Sequence, residues 1–243
     1  MNKGNRNGIF VTGTDTGIGK TIVSAALLGS LRSAGIDAAY MKPIQTGCKK
    51  RGKKLVAPDL EFVCAHAGIR PSKKELGLMA PYCLRKPCSP HLAAALEKRS
   101  VRIAKILKAF YELSLRHEFI VVEGAGGILV PISRKHTMLD LMKSLNLPVV
   151  VVARPGLGTI NHTLLTLREL GRAGLEVAGV VINHAVTAPK TGIEKNNLET
   201  IERLGNTRVI AELPFLRSLD RPLRRHSARP ARGGFQRQAP FGF

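Results

Sequence analysis

Residues 13–21 read Gly-Thr-Asp-Thr-Gly-Ile-Gly-Lys-Thr, between the apolar runs Ile9-Phe10-Val11 and Ile22-Val23-Ser24-Ala25-Ala26-Leu27-Leu28. The order is strand, phosphate loop, helix. Backbone N–H groups of Gly17, Ile18 and Gly19 are expected to wrap a phosphate, with Lys20 reaching the outer phosphates and the Thr21 hydroxyl available to Mg²⁺. The helix start adds a favourable dipole for an anion. Five residues separate Gly13 from Gly19, one more than the ordinary pattern, so the loop is a variant. A nucleoside triphosphate is the implied ligand.

Further groups of the right chemistry recur at strand ends. Lys42 follows the strand-like Ala38-Ala39-Tyr40 and opens Lys-Pro-Ile-Gln-Thr-Gly. It is a second cation for charge that develops on a transferred phosphoryl group, and Thr46-Gly47 adds a hydroxyl and a flexible backbone. Glu123 closes the apolar run Phe119–Val122, where a phosphate-loop enzyme holds Mg²⁺ or its water. Gly124, Gly126 and Gly127 then let the backbone approach a ligand. Asp59 is a candidate second carboxylate on the metal side. Asp15, inside the loop, is a candidate contact to the metal or to an amino group on the acceptor. The loop Pro155–Gly158 leads into a helix near Thr159, and Thr159 or Asn161 is placed to receive an anion such as a carboxylate. Asn183 and Pro214 end two strands where a base would lie. Ser89 and Pro90 read as a helix cap and first helical residue. His91 beside them is not assigned a catalytic role.

These groups need a scaffold. The β-branched runs Ile9–Val11, Phe119–Val122, Val149–Ala153 and Val177–Ile182, with Val209–Leu213, suit a parallel sheet covered on both faces. Helical patterns over 100–115, 137–145 and 159–173 alternate with them. The fold expected is α/β, phosphate-loop NTPase-like, with three layers around a mostly parallel sheet. Residues 1–220 form that domain; 221–243, rich in Arg, Pro and Gly, read as a disordered basic tail. The net charge of +21 raises the question of nucleic acid. Much of it sits in the tail and in the 49–54 cluster, read here as a solvated loop face, so no specific nucleic-acid partner is expected. No apolar run reaches the length of a membrane span, and the N-terminus lacks the core of a signal peptide. The four cysteines, at 48, 64, 83 and 88, match no zinc spacing. Free thiols in a reducing cytoplasm are expected, with Cys83 and Cys88 the weaker alternative of a local disulfide.

Taken together, GTDTGIGKT (13–21), KPIQTG (42–47), SPHLAA (89–94), VEGAGGILVPI (122–132), GTINHTLLT (158–166), VVIN (180–183) and ELPF (212–215) resemble the dethiobiotin synthetases. The resemblance covers roughly residues 8–220. It implies a cytoplasmic homodimer that uses ATP, Mg²⁺, CO₂ and 7,8-diaminopelargonic acid. One amine captures CO₂ as a carbamate, the carbamate takes the γ-phosphoryl group, and the second amine closes the ureido ring.

Carried over by position, Lys20, Lys42 and Thr46 serve the phosphoryl groups and the carbamate, with Thr16 beside them. Thr21, Asp59 and Glu123 hold Mg²⁺. Gly124 and Gly127 approach the diamine, and Thr159 and Asn161 meet its carboxylate near the dimer interface. Asn183 and Pro214 flank adenine. Some members carry Glu where Gly17 stands, residues 48–58 are unusually basic, and the chain departs from the family pattern after about 217. The competing reading is a ParA-like ATPase acting as a protein or nucleic-acid switch.

Overall fold

A computed structural model describes residues 7–52, 54–185 and 192–215. The expected disorder of 221–243 concerns residues outside these. Six strands form one parallel sheet in the order β10-β9-β8-β1-β7-β2. They are β1 (Gly8–Gly13), β2 (Ala38–Met41), β7 (Phe119–Glu123), β8 (Val149–Ala153), β9 (Val177–Asn183) and β10 (Val209–Leu213). Every residue of β1, β7 and β8 is buried. Successive side chains of a strand point to opposite faces, so both faces of the sheet centre are covered. This is the expected layered architecture.

The helices that matter here are α1 (Lys20–Ser33), α2 (Pro58–Ala67), α4 (Pro90–Leu96), α6 (Met138–Leu145) and α7 (Thr159–Arg172). Helix α1 packs on β1, β2 and β7 and against α2; α7 packs on β8 and β9. Local chemistry sets several of their starts. Asp140 Oδ2 accepts from the Thr137 N–H at 2.7 Å and its hydroxyl at 2.9 Å, the reciprocal half of a capping box. Pro90 is the first residue of α4 as expected, but the Ser89 side chain makes no capping bond although it stands at the cap position.

The basic cluster is more ordered than a loop. Lys49–Arg51 and Lys54–Val56 pair as an antiparallel hairpin, β4 and β5. Lys49, Lys50, Arg51 and Lys54 are exposed, as a solvated face requires, and Arg51 pairs with Glu61 at 2.6 Å. A short parallel pair, β3 (Ile44–Gln45) with β6 (Tyr82–Cys83), sits beside the main sheet and carries the chain past Thr46.

Candidate active site

The carboxyl ends of β1, β2 and β7 are neighbours in the sheet, and the site is built there. β1 ends at Gly13, and residues 14–19 curl back to start α1 at Lys20. Gly19, at φ 94°, is the turning point. Its φ lies in the left-handed region, and a Cβ there would collide with the Asn183 amide. Lys20 folds over the loop, and its Nζ donates to Asp15 O at 2.8 Å. Burial, and then the Lys42 ammonium, pull its pKa down to about 8, against the carboxylates of Glu123, Asp59 and Asp15.

Lys42 has the opposite environment. It leaves the end of β2 only 4% exposed. Its Nζ lies 2.6 Å from Glu123 Oε1, 2.8 Å from Asp59 Oδ2 and 3.2 Å from Gly124 O. All three ammonium donors are therefore used. Burial works against the charge, but the two carboxylates outweigh it and hold the pKa above the ordinary lysine value.

Glu123, 1% exposed, is the hub. Besides Lys42, its Oε1 accepts from Thr21 Oγ1 at 2.9 Å, and its Oε2 accepts from the Tyr40 hydroxyl at 2.8 Å. Burial and the neighbouring carboxylates push the Tyr40 phenol well above its usual range, so it remains a donor. Sequence reasoning passed over Tyr40. Its signal is a tyrosine within a wholly buried strand, whose hydroxyl must find a partner.

This set fits Mg²⁺. Lys42 Nζ stands between Glu123 and Asp59 as a built-in cation, and the Thr21 hydroxyl adjoins the same oxygen. Two carboxylates and a hydroxyl are hard oxygen donors, too few to enclose an ion, as suits a metal completed by phosphates and water. Among the described residues, no group of three or more His, Cys, Asp or Glu is arranged to hold a metal alone.

The glycine run after β7 passes over the phosphate loop. A Cβ on Gly127 would stand 3.4 Å from Gly13 O, and one on Gly124 would stand 3.0 Å from the Phe10 ring. The close approach is thus first to the loop and the core. His91 donates its backbone N–H to Pro131 O at 3.2 Å, tying the Ser-Pro-His turn to the end of that run. Thr46 is half-buried and follows β3.

On the other side of the loop lies a cleft of about 380 Å³. Thr16, Gly17, Ile18, Arg154, Asn183 and Glu194 are among its walls. Asn183 is 3% exposed and donates Nδ2 to Ile18 O at 2.8 Å. Pro214 is exposed just after β10 and is not part of this wall. Asp15 is turned to Arg154 at 2.9 Å, a partner that sequence reasoning missed. An arginine directly after an apolar strand, as Arg154 follows β8, was the available signal.

Thr159 and Asn161 differ from each other. Thr159 is 1% exposed, its N–H donates to Gly156 O at 3.2 Å, and its hydroxyl lies 3.4 Å from that of Thr163. Asn161 is exposed. The outward-facing member of that expected pair is therefore Asn161.

A family model described as an AAA domain matches residues 7–223. A protein of Methanococcus vannielii described as ATP-dependent dethiobiotin synthetase BioD is 43% identical over 202 residues, covering 83% of this chain and 90% of that protein. One of the same description from Anaeromyxobacter sp. (strain K) is 46% identical over 208 residues, covering 86% and 90%. The chain belongs to the dethiobiotin synthetase family. The wider fold is shared with phosphate-loop ATPases. MinD in the MinC:MinD cell division complex of Aquifex aeolicus matches with a TM-score of 0.55 at 15% identity, over 87% of this chain and 82% of the matched one. At that identity the likeness shows the fold alone. The matched range of the family model, 7–223, includes the phosphate loop, Lys42 and Glu123.

Proposed function

We propose that the protein is an ATP-dependent cyclo-ligase that closes the ureido ring of dethiobiotin from 7,8-diaminopelargonic acid and CO₂, with release of ADP and phosphate. The observation that carries this reading is the joining of two lysines, two carboxylates and a threonine hydroxyl at adjacent strand ends, in a chain of this family. The carbamate of one amine is an anion, and it attacks the γ-phosphorus of a polyanion. Such a reaction needs fixed positive charge where the two meet, and no protein nucleophile.

ATP enters with its phosphates along the loop at 13–19. Lys20 is the cation held beside that path by Asp15 O. Thr21, Asp59 and Glu123 would hold Mg²⁺. When bound, Mg²⁺ offsets phosphate charge and orients the outer phosphates. Lys42, now held by Glu123 and Asp59, would then have its ammonium available to the transferred group. Thr46, with Thr16, lies toward the carbamate, which becomes a carbamic-phosphoric anhydride. The second amine then attacks its carbonyl carbon and expels phosphate. Gly124 and Gly127 line the diamine path.

The cleft beside the loop suits the nucleoside. With its Nδ2 committed to Ile18, Asn183 has Oδ1 left as an acceptor for an exocyclic amine such as that of adenine. Pro214, the first residue after β10, is the further group assigned to the base. The enzyme is read as a cytoplasmic homodimer, with the start of α7 near the partner and the diamine carboxylate. Supporting this, Leu157, beside that helix start, is 96% exposed, an apolar group that a second subunit would cover. Among the described residues no helix is long and apolar enough to cross a membrane.

The test is to incubate purified protein with Mg²⁺, bicarbonate, ATP and 7,8-diaminopelargonic acid, following phosphate and dethiobiotin together. Diamine-dependent phosphate release matched by ring product is expected. Hydrolysis indifferent to the diamine but stimulated by DNA, RNA or a protein would overturn the reading in favour of a switch ATPase.

A further inference from the structure

The short β3–β6 pair does more than carry Thr46 into place. Its register sets Ile44 against Tyr82 and Gln45 against Cys83. The ladder continues past the pair: Leu84 N–H donates to Gln45 O at 2.8 Å, and Cys48 N–H donates to Leu84 O at 2.9 Å. Gly47, at φ 69°, makes the turn between them, its N–H directed to Lys86 O at 3.3 Å. Cys48 and Cys83 are thereby clamped side by side by backbone bonds, although they are distant in sequence. Cys48 Sγ lies 3.5 Å from Gln45 O and Cys83 Sγ lies 3.9 Å from Ala80 O. Each thiol stands within electrostatic reach of the other.

We propose that Cys48 and Cys83 are a reversible dithiol–disulfide pair, oxidised by a diffusible peroxide, whose bond staples the Thr46–Cys48 turn to β6. The two sulfurs have unequal roles. Cys83 is partly exposed, whereas Cys48 is 6% exposed. The neighbouring Cys48 favours the Cys83 thiolate, burial opposes it, and the Arg99 guanidinium adds to the first effect. Cys83 beside it, with burial, raises Cys48. Cys83 is therefore the attacking sulfur and Cys48 the resolving one.

The chemistry balances with peroxide as the only oxidant. The Cys83 thiolate attacks one oxygen of hydrogen peroxide, the O–O bond breaks, and hydroxide leaves, giving a sulfenic acid. Cys48 sulfur then attacks Cys83 sulfur; the S–O bond breaks, and the departing hydroxyl takes the Cys48 proton as water. Two thiols are oxidised and one peroxide is reduced to two waters. A small dithiol reverses the bond by exchange. The other cysteines lack this setting. Cys64 is buried in α2 and pushed up to about 11 by that burial. Cys88, which the sequence offered as the neighbour of Cys83, is a free thiol, as all four are here.

The staple removes freedom from the turn whose hinge is Gly47 and which begins at Thr46. Its effect on turnover rests on the ligase reading, whereas bond formation does not. The experiment treats the full chain with a small excess of hydrogen peroxide and counts reactive thiols after denaturation. The expected count falls from four to two, peptide mapping places the bond between 48 and 83, and dithiothreitol restores four. Cys48→Ser is expected to accumulate a dimedone-reactive sulfenic acid on Cys83 with no disulfide. Cys83→Ser is expected to leave Cys48 reduced. Four thiols surviving peroxide, or a bond to Cys88, would overturn the pairing.

Ring-closing turnover of the oxidised protein is expected to fall several-fold and recover with dithiothreitol. Unchanged turnover with the bond mapped would overturn the restraint on Thr46. Absence of ring closure in the fully reduced protein would instead count against the ligase reading, with the thiol count still deciding the pairing.

Discussion

The two lysines of the site differ in a way that explains how the halves of the centre divide the work. Lys20 stands on a loop made of backbone, its ammonium held by a carbonyl, and its pKa is pulled down to about 8. Lys42 is deeper and held by two carboxylates, and its pKa is raised. Burial works against both charges. What separates them is the distance to a counter-charge. On the loop side Lys20 touches a carbonyl rather than a carboxylate, which leaves its charge for a polyphosphate. The carboxylate half sets one ammonium against two carboxylates and so keeps negative charge for a further cation. The Asp15–Arg154 contact belongs to the yielding side of this contrast. Its side chains are 53% and 43% exposed, and such pairs contribute about 0–1 kcal/mol, little enough for a ligand to displace.

The sharpest way to break the contrast is Lys20→Ala. Loss of the phosphate-facing cation is expected to lower turnover by on the order of 1000-fold or more, with the fold intact, since the acceptor it leaves, Asp15 O, belongs to an exposed residue that water can reach. Steady-state phosphate release beside a thermal melt checks both halves; unchanged turnover would sink the proposed site. Glu123→Ala should act on both function and stability. It removes the hub and leaves the buried Lys42 with Asp59 alone, at a cost of about 3–5 kcal/mol. Denaturant unfolding and a Mg²⁺ titration of turnover are the measurements, and a loss of activity with undiminished stability would contradict the hub.

A smaller effect is expected from pH. A bound polyphosphate holds the Lys20 proton more tightly than the empty site does. Affinity for ATP is therefore full below about 8 and declines as pH rises through that value. Calorimetric titration across that range, with Lys20→Arg as the permanently charged control, tests the sign. The smallest effect is Tyr40→Phe, which removes one buried bond to Glu123 Oε2. A loss of about 1 kcal/mol in stability is expected, with a weaker apparent affinity for Mg²⁺. A melt shift without any change in Mg²⁺ dependence would reduce Tyr40 to packing.

Much of this centre was legible before any coordinates. Gly19, Lys20 and Thr21 form a local signal, because a loop wound from adjacent residues needs glycine where φ is positive and a lysine one step on. Lys42 and Glu123 were found because apolar strands end visibly and parallel sheets place their ligands at those ends. The basic cluster at 49–54 is solvated, as its charges imply, but the same run of charges hides the pairing of Lys49–Arg51 with Lys54–Val56. Thr159 and Asn161 were indistinguishable as a pair, because which side of the first turn faces inward depends on what α7 packs against.

The chain's order of residues determined the phosphate loop, the alternation of strands with helices and the set of groups able to serve a phosphoryl transfer. These follow from adjacency and from the repeat of helix and strand. Tertiary structure decided which groups meet. Tyr40 reaches Glu123 across 83 positions and Arg154 reaches Asp15 across 139. Cys83 lies against Cys48 rather than the nearer Cys88. The first two contacts arise from strand order in the main sheet, which brings β2 and β8 to either side of the β1–β7 pair, and the third from the separate β3–β6 pair; no local pattern in the sequence records either pairing.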